Sequence, residues 1–432
     1  MSIGNQIKSG IGWTAISTIV IAIVAIVKVS VLARYLDKSD FGLMAIVTFI
    51  ISFMELFNDF GISIGILHKQ NISKNEYHSL YWINLAISVF LFFILLGITP
   101  FISSFYNMPE LKYLLILIGI NLIISGIGRQ FKTIEQKELR FKFIALVDIL
   151  GAVFSLFLAI WLAVYGYGVL SLVYSLIIQF SIVNLCYFVN GLKRHGLSFH
   201  FKFKETVPFL KIGAYQVGGQ VANYFNKDLD ILLIGKIFSP DLLGGYSLAK
   251  QLVYKVFQFF NPIIMRVASP MLARFQNDKS ELRLKYLDML NIVSTVNILV
   301  YVLLIIFAPL AVNILYGSHF ESIVVLVRFF SIYMIFRAIG NTLGSLVIAT
   351  GRTDLDFYWN IILLFIMPPF IYGGSNYGII GVVISLVISM IVLYVPAWKL
   401  FIDKLLGVSL KEYFLTCFKI DINRIRKLLK DK

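Results

Sequence analysis

The chain has 432 residues, 59% of them hydrophobic and only 14% charged, with a formal net charge of +15. Its mean hydropathy is +0.86, whereas ordinary soluble domains carry about 25% charged residues. A water-soluble fold of this size cannot hide so much apolar surface, which excludes a soluble enzyme and implies helices solvated by lipid. Spans of about 20 residues with short connections fit this length about twelve times. The positive balance is expected from the basic cytoplasmic loops of membrane proteins. No nucleic-acid-binding motif accompanies it, so nucleic acid is not expected as a partner.

The apolar run after Lys8 is too long for a signal-peptide core and lacks a small-residue cleavage pattern, so it reads as a retained first span. Spans are then expected at 11–33, 41–66, 79–103, 112–129, 143–164, 168–190, 208–235, 242–270, 287–314, 322–350, 356–374 and 378–401. Turn signals separate them at Tyr165-Gly166-Tyr167-Gly168, Ser239-Pro240-Asp241, Tyr316-Gly317-Ser318 and Gly373-Gly374-Ser375-Asn376. The tail repeats apolar residues (Leu410, Phe414, Phe418, Ile422, Ile425, Leu429) at helical spacing among lysines and arginines. It is expected to be a cationic amphipathic helix lying on the inner leaflet. Cys186 and Cys417 have no partners at metal-ligand spacing and read as structural.

Charge supports this map. One set of alternating connections, with both termini, collects most of the basic residues, among them Lys69, Lys74, Arg129, Lys132, Lys137, Arg140, Lys193, Arg194, Arg274, Arg283 and Arg352. The other set holds about four: Arg34, Lys38, Lys112 and Lys236. The first set and both termini are therefore expected in the cytoplasm.

The chain also repeats at about half its length. Asp40-Phe41-Gly42 is matched by Asp241, Gly244 and Tyr246; Pro100 and Tyr106 by Pro309 and Tyr316; and Tyr167-Gly168 by Tyr377-Gly378. Six spans per half give parallel repeats. The expected fold is all-α, with two pseudo-symmetric six-helix bundles around a central cavity. The expected organisation is a first bundle at 1–195, a basic cytoplasmic linker at 196–207, a second bundle at 208–402 and the tail at 403–432.

Ionisable groups inside spans are costly and are functional candidates by default. In the seventh span Gln216, Gln220, Asn223, Lys227 and Asp230 follow steps of 4, 3, 4 and 3, which puts them on one face, with Asp228 beside it. In the eighth, Gln251, Lys255, Gln258 and Arg266 share a face, with Lys250 at its edge. Lys28 lies in span one, Glu55 and Asp59 form an i, i+4 pair in span two, and Arg328 and Arg337 lie in span ten. A structural ion pair between Lys227 and Asp228 or Asp230 is the competing reading. Lys211, Arg266 and Asp148 sit where snorkelling toward the inner interface explains them. Substrate contact is expected at Lys28, Gln216, Gln220, Asn223, Lys227, Lys250, Gln251, Lys255 and Arg337. Ion coupling or pairing is expected at Glu55, Asp59, Asp228 and Asp230. The excess of cations suits an anionic substrate.

The run Leu32-Ala33-Arg34-Tyr35-Leu36-Asp37-Lys38-Ser39-Asp40-Phe41-Gly42-Leu43, followed by Asp59-Phe60-Gly61, resembles the opening of bacterial polysaccharide flippases of the O-antigen and teichuronic-acid type. Gln136-Lys137-Glu138-Leu139-Arg140-Phe141 and Gly244-Gly245-Tyr246-Ser247-Leu248-Ala249 fit the same pattern. These flippases belong to the multidrug/oligosaccharidyl-lipid/polysaccharide exporter superfamily. The resemblance covers about residues 5–400. It implies two six-helix bundles working by alternating access, and a polyprenyl-pyrophosphate-linked oligosaccharide moved between leaflets of the bacterial cytoplasmic membrane. Membrane lipids and the polysaccharide polymerase machinery are the implied partners. No cofactor is expected beyond a proton or sodium gradient. Many members have fourteen spans, and this chain reads as twelve plus a tail. The alternatives are an exporter of another cargo, whose cavity should be acidic or apolar, and a membrane enzyme of glycan assembly. The outward connections are short, the five histidines form no cluster within a span, and no P-loop occurs.

Overall fold

The computed structural model describes residues 3–421, apart from the side chains of 3–8, 214–216 and 259–270. The side chains of Lys8, Gln216 and Arg266, and the tail beyond 421, therefore lie outside the described residues.

The chain is helical throughout its described length, with no strand among the described residues. In order the helices are α1 (Ile3–Leu32), α2 (Lys38–Asn58), α3 (Ile62–His68), α4 (Lys74–Tyr106), α5 (Glu110–Lys137), α6 (Phe141–Val164), α7 (Val169–His195), α8 (Phe203–Ile237), α9 (Pro240–Ala273), α10 (Lys279–Tyr316), α11 (Val324–Gly340), α12 (Thr342–Thr350), α13 (Thr353–Ser375), α14 (Gly378–Ala397), α15 (Lys404–Leu406) and α16 (Leu410–Phe418). Ten stretches among the described residues are long and apolar enough to cross a bilayer. α8 and α9 are not among them, yet their 35 and 34 residues reach about 50 Å at 1.5 Å per residue. Their amide and charged side chains dilute their hydropathy. Counting both gives the twelve crossings expected from the sequence.

Two spans differ from expectation. The second is broken after α2, where Phe60 (φ 43°) and Gly61 (φ 70°) both take left-handed backbone before α3 begins. A side chain on Gly61 would overlap the Cα of Gly213, so the break lets α8 come against the backbone itself. The fourth does not stop at 129. α5 continues to Lys137, which places Arg129 and Lys132 on a helix rather than in a cytoplasmic loop.

Packing divides the chain into two compact units, Met1–Gly244 with Leu315–Gly317, and Gly245–Ile314 with Ser318–Lys432. In the first, α5 is central and packs on α2, α3, α4 and α7, while α1 lies along α6. α8 belongs to this unit, lying against α2, α3 and α4. Phe209 near its start is buried with Ile62, Ile66 and Leu80. Further along, the Tyr224 hydroxyl donates to the Phe49 carbonyl, and Tyr224 and Phe225 stack against Phe49 and Phe53.

The internal repeat is visible in the backbone. Pro100 and Pro309 sit inside α4 and α10, and Tyr106 and Tyr316 end those helices buried. Gly168 and Gly378 both take positive φ just before α7 and at the start of α14. Repeat-related glycines even meet. A side chain on Gly42 would strike the Pro240 carbonyl, and one on Gly244 would strike the Lys38 carbonyl.

In the second unit α14 packs on α11 and α13. Asp278 accepts from the Ser280 hydroxyl and the Ser280 and Glu281 N–H groups ahead of α10. Those bonds hold its carboxyl below the usual carboxylate range. One face of the described part of the tail is covered within the unit. After α14 a π-helical turn (Trp398–Asp403) and α15 lead to α16, whose Tyr413 and Cys417 are fully buried with Tyr286, Leu290 and Phe401. Arg283 pairs with Glu412 at 2.5 Å, and the Asn291 amide donates to the Thr416 and Lys419 carbonyls. Protein, not lipid, therefore covers the inner face of α16, while Phe414 and Leu415 on its other side stay exposed.

Candidate functional site: polar helix faces and paired charges

α8 has two faces. Tyr224 and Phe225 bind it to α2, whereas Gln220, Asn223 and Lys227 are exposed on the other side. Spacing of 3 and 4 keeps those three in line. The Lys227 side chain is 50% exposed, and its Nζ lies 3.7 Å from Asp228. Asp230 is buried, and one of its oxygens accepts from the Ile231 N–H. The five-residue stripe read from the sequence is thus three exposed residues, one buried carboxylate, and Gln216, whose side chain is outside the described residues.

α9 repeats the pattern in the second unit. Gln251, Lys255 and Gln258 are exposed at spacings of 4 and 3. Lys250 is not on that face. It is buried, with its amine 5.6 Å from the Tyr254 ring centre, and the Arg337 guanidinium lies 5.6 Å from the same ring. Arg337 also donates to the Tyr333 hydroxyl at 2.6 Å. Aromatic faces and a phenol oxygen thus accommodate these two cations inside the unit. Arg328 donates to the Ile305 carbonyl at 3.3 Å, which ties α11 to α10.

The first-half candidates are used differently. The Lys28 amine donates to Ser155 Oγ at 2.8 Å, joining α1 to α6. Glu55 pairs with Arg129 of α5 and accepts from Ser125. Asn58 donates to Ser125 Oγ and the Leu122 carbonyl and accepts from Ser88, completing a buried polar link among α2, α4 and α5. Asp59 accepts from the backbone and hydroxyl of Ser63, which fixes the first turn of α3.

Sequence reasoning missed a second set. Lys132 donates to both oxygens of Asp148 at 3.0 Å, and Tyr187 donates to Asp148 at 3.2 Å. Asp148 is therefore ion-paired across α5 and α6, with Tyr187 of α7 beside it. Glu135, 2% exposed, holds Arg140 and Arg194 at 3.0 and 2.9 Å and accepts from Asn190. A cavity of about 350 Å³ opens beside these groups, lined by Arg129, Lys132, Asp148, Gln179 and Asn184 among others. Its charges are already neutralised in pairs. The overlooked signal was a carboxylate, Asp148, well inside an apolar span, because such a group demands a partner at the same depth.

The fold and these faces define a multi-pass helical membrane protein of transporter type, with polar stripes on two of its membrane-length helices. The chain belongs to the polysaccharide biosynthesis protein family, whose model matches residues 31–325. It is 27% identical over 417 residues to the lipopolysaccharide biosynthesis protein WzxC of Escherichia coli (strain K12), covering 96% of this chain and 85% of that protein. It is 28% identical over 421 residues to the teichuronic acid biosynthesis protein TuaB of Bacillus subtilis (strain 168), covering 97% and 86%. Among solved structures it superposes on the lipid II flippase MurJ in an inward closed conformation, with a TM-score of 0.73, 16% identity, and coverage of 97% of this chain and 92% of that one. An inward-facing multidrug-resistance MATE transporter matches with a TM-score of 0.65 at 15% identity, covering 90% and 96%. These likenesses establish the fold as that of the superfamily named from the sequence.

Proposed function

We propose that the protein is a flippase that carries a polyprenyl-pyrophosphate-linked oligosaccharide from the inner to the outer leaflet of a bacterial cytoplasmic membrane by alternating access, for surface-polysaccharide synthesis. The observation that carries the reading is the exposed Gln220–Asn223–Lys227 face of α8 in a chain of the polysaccharide biosynthesis family. A lysine at membrane depth is tolerated where water or an anion meets it. A pyrophosphate supplies the anion, and the neighbouring amides supply donors and acceptors for sugar hydroxyls. Lys255 between Gln251 and Gln258 offers the same combination on α9. Relatives named for lipopolysaccharide and teichuronic acid biosynthesis, and a fold shared with a lipid II flippase, support this choice of cargo.

The basic connections support a cytoplasmic position for both termini, the side from which the cargo would enter. A proton or sodium gradient drives the cycle. The carboxylates assigned to coupling are Asp228 and Asp230, on the same helix as the polar face, while Glu55 and Asp59 hold Arg129 and the first turn of α3. The cargo passes on to the polymerase machinery on the outer side. The six-plus-six organisation about a basic 196–207 linker belongs to the same reading.

Lys227→Gln and Lys255→Gln should each stop surface-polysaccharide export while membrane abundance of the protein is unchanged. Normal export by both variants would overturn the proposal. Reporter fusions after Lys142 and after Lys285 should both read cytoplasmic, and an external signal at either refutes the orientation.

A further inference from the structure

In the first unit a recess of about 320 Å³ lies between α2, α4 and α8, almost wholly apolar, walled by Phe49, Ile50, Ile98, Phe101, Phe105 and Leu232 among others. On α4 it runs from Ile98 to Tyr106, the last residue of the helix. That is about 12 Å at 1.5 Å per residue, close to the hydrocarbon depth of one leaflet, about 15 Å. α8 closes one side and is fixed there. Gly235 has no side chain to hold it away from Tyr106 and Ile46, and the Tyr106 hydroxyl donates to the Leu232 carbonyl at 3.4 Å. The recess is thus bounded by a close helix contact. Phe101 and Phe105 are 76% and 48% exposed along it.

Lys236 stands at the interfacial end. Its amine donates to the Phe105 carbonyl and lies 4.8 Å from the centre of the Phe105 ring, and the residue is exposed. An apolar slot one leaflet deep, ending in a cation at head-group level, has the layout of a lipid whose chain is buried and whose phosphate is exposed. This end lies on the face opposite the basic connections, where the proposed cycle delivers its cargo.

We propose that this recess is a chain-binding groove that receives the polyprenyl chain of the cargo on the outer-leaflet side, with Lys236 meeting its phosphate. The inference rests on the flippase reading and adds a location to it. A polyprenyl chain suits the walls better than a straight acyl chain does. Its flat trisubstituted alkenes lie against phenyl faces, and its methyl branches fill the gaps between isoleucines. Pockets of this size bind through apolar contact, with a few polar groups setting orientation.

The test uses the full-length protein in phosphatidylglycerol/phosphatidylethanolamine nanodiscs, with p-benzoylphenylalanine in place of Ile102 and undecaprenyl phosphate as the probe. Position 102 should label the prenyl lipid at least fivefold above a control with the same group in place of the exposed Phe157. Ile98→Trp, which fills the slot, should cut labelling at least fivefold. Lys236→Gln, which removes the charge but keeps a donor for the Phe105 carbonyl and leaves the slot open, should cut it at least threefold. Equal labelling at 102 and 157, labelling undiminished by both variants, or equal competition by phosphatidylglycerol would overturn the groove. If Lys227→Gln stops export while labelling ignores the groove, this inference fails alone. If Lys227→Gln exports normally while the groove labels as expected, the transport reading fails alone.

Discussion

α5 and α8 lie in the same compact unit and carry similar residues, yet they treat charge in opposite ways. On α5, Arg129, Lys132 and Glu135 each face a partner of opposite sign on another helix or on the following loop. On α8, Lys227 is half exposed, with the Asp228 carboxylate of its own helix 3.7 Å away. The lesson is that an ionisable residue in a span is not one kind of evidence. A charge neutralised across a helix interface holds helices together. A charge on an exposed polar face, flanked by amides at 3- and 4-residue spacing, is where the proposed cargo contact lies.

That contrast can be broken by substitution. The largest stability effect is expected at Glu55→Ala, which strands Arg129 among α2 and α5. Each side chain of the pair is 21% exposed, so removing one partner costs less than the roughly 3–5 kcal/mol of a fully buried pair, and thermal unfolding in detergent should shift downward with membrane abundance reduced. A melting temperature equal to that of the parent would show that the α5 charges are not structural. Lys227→Gln should leave the same melting curve nearly unmoved, since its side chain is half in solvent. A smaller effect is expected where backbones touch. Gly213→Ala places a methyl against the Phe60 carbonyl oxygen, and crowding of this kind costs about 1–3 kcal/mol. It should loosen α8 from the α2–α3 break, read as faster hydrogen exchange at 59–63 with the α5 region unchanged. Exchange rates that stay the same would mean the break is not held by α8.

The apolar runs made the twelve crossings legible, because a span announces itself over about 20 consecutive residues. The repeat was legible for a similar reason: Gly42 and Gly244, or Pro100 and Pro309, keep their spacing however far apart they fold. Pairings between distant residues were not legible. Nothing local in Arg129 says that Glu55 lies beside it, and ending a span at the first arginine hid Lys132 and its bond to Asp148. In the tail the spacing drew attention to Leu410, Phe414 and Phe418, and gave no sign that Tyr413 and Cys417 on the neighbouring face are covered by Tyr286, Leu290 and Phe401. On α8 the periodicity gave the polar face correctly for Gln220, Asn223 and Lys227, but the inward turn of Asp230 depends on neighbours that a helical wheel does not contain.

The central claim is that the open lysine face of α8 serves an anionic lipid-linked glycan. It is tested most directly in vesicles reconstituted with the purified protein, a labelled polyprenyl-pyrophosphate oligosaccharide and an imposed ion gradient. Loss of one charge-assisted contact worth about 1.5–3 kcal/mol corresponds to about 10- to 150-fold at 1.4 kcal/mol per factor of ten. The parent should move the label to the opposite leaflet, and Lys227→Gln should slow that movement at least tenfold with reconstitution unchanged. Equal rates for the two proteins would contradict the account.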